Sequence, residues 1–218
     1  MKKNIACWIF SLFITAMTGV VHAGPIIQAS SVWTDGDYAS YPIENIIDQS
    51  GLSTNYVSGV NDFDEYVSTT TASYQAGASE ILGSNAGGLT DFYFDLGAVF
   101  SIDGLAIWNQ WGSAALLSFD IYASADDSFD SRTFLGSYSI ANGPATVPGY
   151  SFLFEDTLTQ FISIDVTANA GAPFTQINEV AFRQSHAASI PEPAFIILLG
   201  IGIACFALIR RKGARATS

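Results

Sequence analysis

The side chains available for chemistry in this chain are carboxylates, amides and aromatic rings. Its two cysteines, Cys7 and Cys205, lie near the two ends, as do its two histidines, His22 and His186. The long stretch between them, residues 24–184, therefore holds no thiol and no imidazole. This composition excludes a disulfide, a thiolate zinc site, a cysteine nucleophile and a Ser-His-Asp triad from that stretch.

Acidic side chains cluster in three places that need weighing as cation sites or as catalytic acids and bases. These are residues 35–37, 62–65 and 126–130. None has the spacing of an EF-hand calcium loop, and no pair has a context that marks a glycosidase acid and base. The third cluster follows a predicted strand, where solvated turn residues are expected. We therefore predict that the protein is not an enzyme.

One predicted strand ends in a run of aromatic and amide side chains, Trp108-Asn109-Gln110-Trp111. An exposed indole stacks on the apolar face of a sugar, and amides form hydrogen bonds with sugar hydroxyls. Trp108 follows the strand alternation and is expected in the core. Trp111 lies beyond the strand and is the better surface candidate. The candidate ligand-binding residues are therefore Trp111 and Gln110, with Trp33 and Tyr38 from the early loops.

The charge between the two chain ends is strongly negative. Residues 24–190 hold two basic residues, Arg132 and Arg183, against 19 of the 20 acidic residues, a formal charge of −17. Binding of nucleic acid or anionic lipid by a basic patch is therefore excluded, and no nucleic-acid partner is expected. We expect Arg132 to pair with the nearby Asp127 or Asp130 rather than to contact a ligand.

Short apolar stretches with a period of two residues predict a fold made of β-strands. Residues 161–166, for example, alternate cleanly between a buried and a second face. Turn signals separate the stretches, so the fold is predicted to be all-β, as a two-sheet sandwich. Residues 25–88 are less regular and are expected to form long loops with a few short strands, with the stretches at 68–73 and 77–88 as exposed connections. The predicted strands cover residues 92–96, 102–108, 117–122, 134–140, 150–154, 161–166 and 177–182.

The N-terminal end has the features of a secretory signal. Lys2 and Lys3 precede the apolar residues 5–21, and small residues lead to a cleavage position after Ala23. We predict that residues 1–23 form a signal peptide that signal peptidase removes. The protein is therefore expected to be exported.

The C-terminal end consists of three parts in a fixed order. These are the motif Pro191-Glu192-Pro193, the apolar stretch 194–209, and the basic stop Arg210-Arg211-Lys212. The prolines favour an extended motif, and the apolar stretch followed by basic residues predicts a membrane helix with a cytoplasmic end. This order resembles the PEP-CTERM sorting signal, which implies processing by an exosortase, a membrane-embedded cysteine protease. The predicted boundaries are a linker at 185–190 and a sorting tail at 191–218.

Several short phrases between the two ends occur in a recognisable order. They are Ala29-Ser30-Ser31, the Asp-centred loop 45–53, Phe94-Asp95-Leu96-Gly97, the strand phrases at 104–109, 119–127 and 161–166, and Ile177-Asn178-Glu179. In this order they resemble a discoidin domain, the jelly-roll type of coagulation factors and of bacterial galactose-binding modules. The resemblance implies an eight-stranded jelly-roll β-sandwich over residues 24–184, with its loops gathered at one end.

The same resemblance implies a structural calcium ion. In sugar-binding relatives the ion is held by the early Asp loop and a late Glu, which correspond here to Asp48 and Glu179, with Thr54 and loop carbonyls nearby. Calcium prefers oxygen ligands and accepts backbone carbonyls. The alternative is that Asp48 caps a turn and Glu179 is a carboxylate at a sheet edge. The sequence departs from the family pattern at Gln49, where glycine is common.

Together these features predict an exported, non-catalytic protein of the cell surface or extracellular matrix. The tail resemblance implies anchoring in the inner membrane before processing, in a Gram-negative bacterium that makes exopolysaccharide. The discoidin resemblance implies carbohydrate binding, with exopolysaccharide or another glycan as the partner. The alternative is a structural or adhesive surface protein without a defined sugar pocket.

Overall fold

The structure, a computed structural model, describes residues 24–34, 42–73, 81–82, 89, 91–143 and 146–185. Within these ranges the chain forms ten β-strands, the helix α1 (Phe63–Thr69) and a short 3-10 helix (Ile43–Ile46). None of the helices in these ranges is long and apolar enough to cross a membrane. The strands are β1 (Ile26–Ile27), β2 (Ser31–Thr34), β3 (Thr71–Ser73), β4 (Ile81–Leu82), β5 (Phe92–Asn109), β6 (Leu116–Ser124), β7 (Thr133–Ser139), β8 (Thr146–Pro148), β9 (Tyr150–Asn169) and β10 (Gln176–Gln184).

The long strands β5 and β9 pair with each other and contribute to two sheets. Their antiparallel register is irregular between Asp95 and Phe100 and again between Ile102 and Gly104. On one side of these irregularities, β2, the start of β5, the end of β9, β6 and β7 form what we call the front sheet. On the other side, β1, β4, β10, the end of β5 and the start of β9 form the back sheet.

The main core lies between the front and back sheets. The ring centroids of Phe94 in the front sheet and Phe182 in the back sheet are 5.4 Å apart. Phe119 and Phe152 meet in the same way, at 5.0 Å. Burial of one such ring stabilises the fold by about 1.5–3 kcal/mol, so stacked apolar layers hold this sandwich without a disulfide. The prediction of an all-β sandwich is confirmed.

The outer face of the back sheet is covered by α1 and the chain around it. Trp108 on β5 packs beneath this layer, with its ring 6.0 Å from the ring of Tyr66. Its Nε1 donates a hydrogen bond to the Thr70 carbonyl at 3.0 Å, so the predicted burial of Trp108 is confirmed. Asp62 caps the N-terminus of the helix, and its carboxylate accepts a hydrogen bond from the backbone N–H of Glu65.

The predicted strand boundaries need one correction. The separate strands expected at 92–96 and 102–108 are two parts of β5, and those at 150–154 and 161–166 are two parts of β9. The alternation of side chains breaks where the strands bend, around Gly97 with its φ of 81°, but the pairing resumes beyond the bend.

The prediction that residues 68–73 form an exposed connection is wrong. Its first residues end α1, where the hydroxyl of Thr69 donates to the Glu65 carbonyl at 2.9 Å. Its last residues form β3, which pairs with β8 and buries Ala72 completely. The sequence analysis missed the end of α1 and the strand β3 because the segment consists mainly of Ser and Thr. These residues can bond to the carbonyls at a helix end and also occur in strands.

Gly149, between β8 and β9, is required by the packing of Trp108. A Cβ atom at this position would lie 2.8 Å from Val67 Cγ1 and 2.9 Å from Trp108 Cε2. We expect Gly149→Ala to lower the free energy of unfolding by about 1–3 kcal/mol, because the ring is held by its neighbours and cannot move aside. Gly143→Ala is the control, since its Cβ would meet Val147 at an ordinary 3.5 Å. Thermal unfolding of both variants measures this, and equal midpoints would contradict the assignment.

Candidate functional site

Trp111 lies in the loop that joins β5 to β6, at one end of the sandwich. The residue is 49% exposed, so its predicted surface position is confirmed. The next residue, Gly112, has a φ of 92°, which favours glycine because it has no Cβ. The turn at Gly112 thus places the half-exposed indole on a surface loop.

Buried amides close the loop behind Trp111. The Asn109 side chain donates to the Leu116 carbonyl at 2.8 Å and accepts from the Leu116 N–H at 3.1 Å. The Asn178 side chain in turn donates to the Asn109 carbonyl at 2.8 Å. Both asparagines are completely buried. Because these bonds are shielded from water, they hold the loop base in one conformation.

Gln110 does not reach the surface, which corrects its expected role as a ligand-binding residue. It is completely buried, and its Oε1 accepts a hydrogen bond from the Trp111 N–H at 2.7 Å. Its Nε2 donates to Gln176 Oε1 at 3.5 Å. A buried amide in this position fixes the backbone of Trp111 and cannot bond to a ligand hydroxyl.

Asn142, in the segment between β7 and β8, connects a second loop to the Trp111 loop. Its Nδ2 donates to the Gly112 carbonyl at 3.0 Å, and its Oδ1 accepts from the Gly112 N–H at 3.2 Å. The side chain is exposed, and this reciprocal pair uses one of its two N–H groups and one of the two acceptor positions of Oδ1. Sequence reasoning missed Asn142 because an Asn-Gly pair signals a turn and does not reveal what the asparagine contacts.

Trp33 lies on the outer face of the front sheet and is not brought together with Trp111. It stands opposite Tyr93 on β5, and the two rings stack with centroids 5.6 Å apart. Phe129 and Phe161 pack around it at 6.4 and 6.3 Å. This arrangement makes Trp33 part of a small aromatic cluster that covers the sheet.

Glu179 is a completely buried carboxylate on β10, opposite Trp108 on β5. Its Oε2 accepts a hydrogen bond from the Gln49 N–H at 2.9 Å, while Oε1 is buried without a hydrogen-bond partner among the residues described. Burial raises the pKa of this carboxyl well above its ordinary value; the Gln49 N–H lowers the pKa, and the Asp48 carboxylate raises it. Glu179 is therefore a buried carboxylate and not a solvated one.

Asp48 and Thr54 lie in the loop that Gln49 ties to Glu179. Asp48 is exposed, and its Oδ1 accepts from the Ser50 N–H at 2.8 Å, which is the turn-capping role predicted as the alternative. Thr54 is exposed, and its carbonyl accepts a hydrogen bond from a tyrosine hydroxyl. Across the described ranges, no three His, Cys, Asp or Glu side chains group as a metal site.

The oxygen atoms near Glu179 nevertheless suit a hard cation. The unpartnered Oε1 of Glu179 is a buried acceptor without a donor, and the Asp48 carboxylate is close enough to influence its pKa. Calcium takes up backbone carbonyls and hydroxyls beside a few carboxylates, so a site with two carboxylates fits its chemistry. A cation bound to Glu179 would also offset the cost of burying its charge.

Gln49 and Tyr56 complete the surroundings of Glu179. Gln49 has a φ of 65°, and its side chain is held by the Tyr56 N–H at 2.7 Å and by Gln28 Oε1 at 3.3 Å. These bonds offset the strain of a left-handed backbone at a residue other than glycine. The Tyr56 hydroxyl is buried, and burial followed by the charge of Glu179 raises its pKa. Sequence reasoning missed Tyr56 because an aromatic residue beside a polar loop has the pattern of an ordinary core residue.

Arg132 pairs with Asp165, not with Asp127 or Asp130 as expected. Its Nη1 lies 2.6 Å from Asp165 Oδ2, and its guanidinium carbon lies 3.9 Å from the ring centroid of Tyr122. The nearer acids lie in the exposed turn between β6 and β7, whereas Asp165 lies on β9 beside the ring on which the guanidinium stacks. Sequence distance was therefore a poor guide to the partner.

Several predicted residues lie outside the described residues. They are Tyr38, the sorting motif Pro191, Glu192 and Pro193, and the basic stop Arg210, Arg211 and Lys212. Residues 189–212 match the PEP-CTERM protein-sorting motif. The resemblance of the tail to this signal is therefore confirmed. The motif indicates an exported surface protein that is anchored in the membrane and then processed.

The fold is shared with solved carbohydrate-binding modules. A pectin-binding carbohydrate-binding module matches with a TM-score of 0.50 and 19% identity, over 76% of this chain and 96% of that one. The ZmpB protein of Clostridium perfringens, solved with its CBM32-1, CBM32-2 and M60 catalytic domains, matches with a TM-score of 0.51 and 14% identity, over 73% of this chain and 14% of that one. No curated protein sequence matches this chain.

These likenesses establish the class of the folded unit. The chain has a discoidin-like jelly-roll β-sandwich, the fold of CBM32 modules, and the predicted fold is confirmed. At these identities the likeness describes the fold alone. The protein thus combines a PEP-CTERM sorting motif with one discoidin-like domain.

Proposed function

We propose that this protein is a non-catalytic surface protein that binds carbohydrate at the loop end around Trp111. The observation that carries the proposal is the half-exposed indole on a loop whose base is fixed by buried amides. A loop that is already ordered pays little entropy when a ligand binds. The indole supplies a flat apolar surface, and the exposed amide of Asn142 beside Gly112 supplies hydrogen-bonding groups.

The fold likeness supports the same proposal. The module solved with a similar fold is described as pectin-binding, and another structure contains CBM32-1 and CBM32-2 of ZmpB in complex with GalNAc, with a TM-score of 0.50 and 14% identity. In the longer ZmpB structure the catalytic M60 domain is separate from the two CBM32 domains. The corresponding role in this chain is recognition of a glycan, with exopolysaccharide as the expected partner.

We also propose that the domain holds a structural calcium ion. Glu179 and Asp48 would supply the carboxylates, and Thr54 with nearby loop carbonyls would supply neutral oxygens. The ion would offset the charge of the buried Glu179 and join the early loop to β10. In a domain that has no cysteine between residues 24 and 184, such a link takes the place of a disulfide.

The route to the surface is proposed from the two chain ends. Residues 1–23 act as a signal peptide that signal peptidase removes, and residues 185–190 form a linker. The tail, residues 191–218, is recognised by an exosortase at the Pro191-Glu192-Pro193 motif while its apolar stretch is in the inner membrane. The domain then remains at the cell surface or in the extracellular matrix.

The binding proposal is tested with Trp111→Ala on the full chain. Loss of the indole should weaken binding to the best glycan of an array at least about tenfold, or about 1.4 kcal/mol. Phe134→Ala is the matched control, because Phe134 is 54% exposed and lies on β7 in the front sheet. Equal binding by wild type and Trp111→Ala would reject the site. No saturable glycan in the array would favour the structural or adhesive alternative.

The calcium proposal is tested by thermal unfolding with calcium and with a chelator. Calcium at about 100 times its Kd should stabilise the fold by about 2.7 kcal/mol, and Glu179→Gln should remove this effect. Folding raises the pKa of Glu179, so in chelator its contribution to stability falls as the pH rises through that pKa. Since calcium needs the ionised carboxylate, its effect should be larger at about pH 8 than at about pH 5. A shift that persists in Glu179→Gln would contradict the assignment.

The sorting proposal is tested by replacing both prolines of the motif with alanine. The variant should accumulate uncleaved in the membrane fraction of a host that carries an exosortase, whereas the wild type should be processed. Pro173→Ala, at an exposed loop position, is the control for proline loss elsewhere. Immunoblots of membrane and medium distinguish the two forms, and normal processing of the motif variant would refute the assignment.

A further inference from the structure

The described residues around Trp111 are rich in amides and carry no charged side chain. The described strand ends and loops at this end, residues 109–119, 140–143, 146–154 and 167–178, contain no Asp, Glu, Lys or Arg. Their one ionisable side chain is that of Tyr150, and their other hydrogen-bonding side chains are mainly those of Asn, Gln, Ser and Thr. Such groups bond to hydroxyls as donors and acceptors and carry no charge with which to balance an ionised ligand.

The two arginines of the domain are engaged elsewhere. Arg132 forms its ion pair with Asp165 over the ring of Tyr122 on the front sheet. Arg183 holds Asp103 through two hydrogen bonds, at 2.7 and 2.9 Å. A ligand carboxylate at either arginine would compete with a carboxylate that is already bound in a charge-assisted pair. Both guanidinium groups therefore already balance a negative charge of the domain itself.

The charge of the domain acts in the same direction. Residues 24–190 carry a formal charge of −17, so an anionic polymer approaches a surface of its own sign. Repulsion of this kind acts over about 8–10 Å at physiological salt and lowers the rate of encounter. A neutral polymer experiences no such barrier. The negative charge of the domain and the composition of the loop end thus both favour a neutral ligand.

We infer that the Trp111 site binds neutral sugars and discriminates against uronic acids and other anionic sugars, with Asn142 as the residue that bonds to ligand hydroxyls. This inference rests on the proposed function. Asn142 suits the role because its pair with Gly112 leaves one N–H and one acceptor position of the exposed amide for a ligand. The solved modules of similar fold do not decide this point, because one is described as pectin-binding and another contains GalNAc.

The test uses an array in which each neutral glycan is matched with a counterpart that carries a carboxylate. Fully methyl-esterified and de-esterified homogalacturonan form one such pair, since they share a backbone and differ in charge. The full chain and Trp111→Ala are compared on every pair. We expect Trp111-dependent binding to neutral members, at least about tenfold stronger than to their acidic counterparts, and little changed by added salt.

The second part of the experiment tests for a gain of binding to acidic glycans. Ser113→Arg places a cation on the exposed residue two positions beyond Trp111 and should strengthen binding to the acidic counterpart about fivefold or more. Ser131→Arg adds the same charge in the β6–β7 loop and should not. Asn142→Ala should weaken binding to the neutral ligand, and Asn142→Asp should not restore it fully, because Asp lacks the N–H donors.

The outcomes separate the two proposals. Trp111-dependent binding to acidic members that equals or exceeds binding to neutral members would overturn the inference and leave carbohydrate binding intact. Failure of every Trp111-dependent signal on the array would overturn the proposed function together with the inference. Selective binding to neutral members, with the gain confined to Ser113→Arg, would establish both.

Discussion

The pairing of β5 with β9 is the interaction on which the rest of this structure depends. Each strand runs through both sheets, so one pair of strands sets the front sheet, the back sheet and the bends that join them. Because both strands bend together, Asn109 at the end of β5 and Asn169 at the end of β9 arrive at the same end of the sandwich, next to β6. The Trp111 loop is placed by this pairing.

The front and back sheets differ in how their outer faces are covered. Behind the back sheet, α1 and the preceding loop bury Trp108 and place the Gln49 N–H against the carboxylate of Glu179. This arrangement keeps a charge-bearing group inside the protein at a cost in solvation. The front sheet is covered more thinly, by the aromatic cluster around Trp33. Residues 42–73 are therefore structural, since they pack over Trp108 and form the surroundings of Glu179.

The sequence predicted what depends on local pattern and missed what depends on distant partners. Period-two alternation located the strands, and the position of Trp111 beyond a strand end indicated its exposure. The burial of Gln110 was not foreseeable, because its side chain contacts Gln176 on β10, 66 positions away. Likewise, the partner of Arg132 lies on β9, 33 positions away, and only the strand order brings it near. Register and long-range contacts carry this information, and no local pattern encodes them.

The structure of the loop end also sets the strength of binding that it can provide. Its buried amides hold the loop in place, so the proposed recognition would rest on the indole of Trp111 and the exposed amide of Asn142. So few anchors make a weak single site, because the cost of immobilising a ligand is offset by little contact. Many copies on one surface facing a repetitive polysaccharide would gain affinity through effective concentration. A site with so few anchoring groups therefore suits a protein displayed in many copies better than one that acts alone.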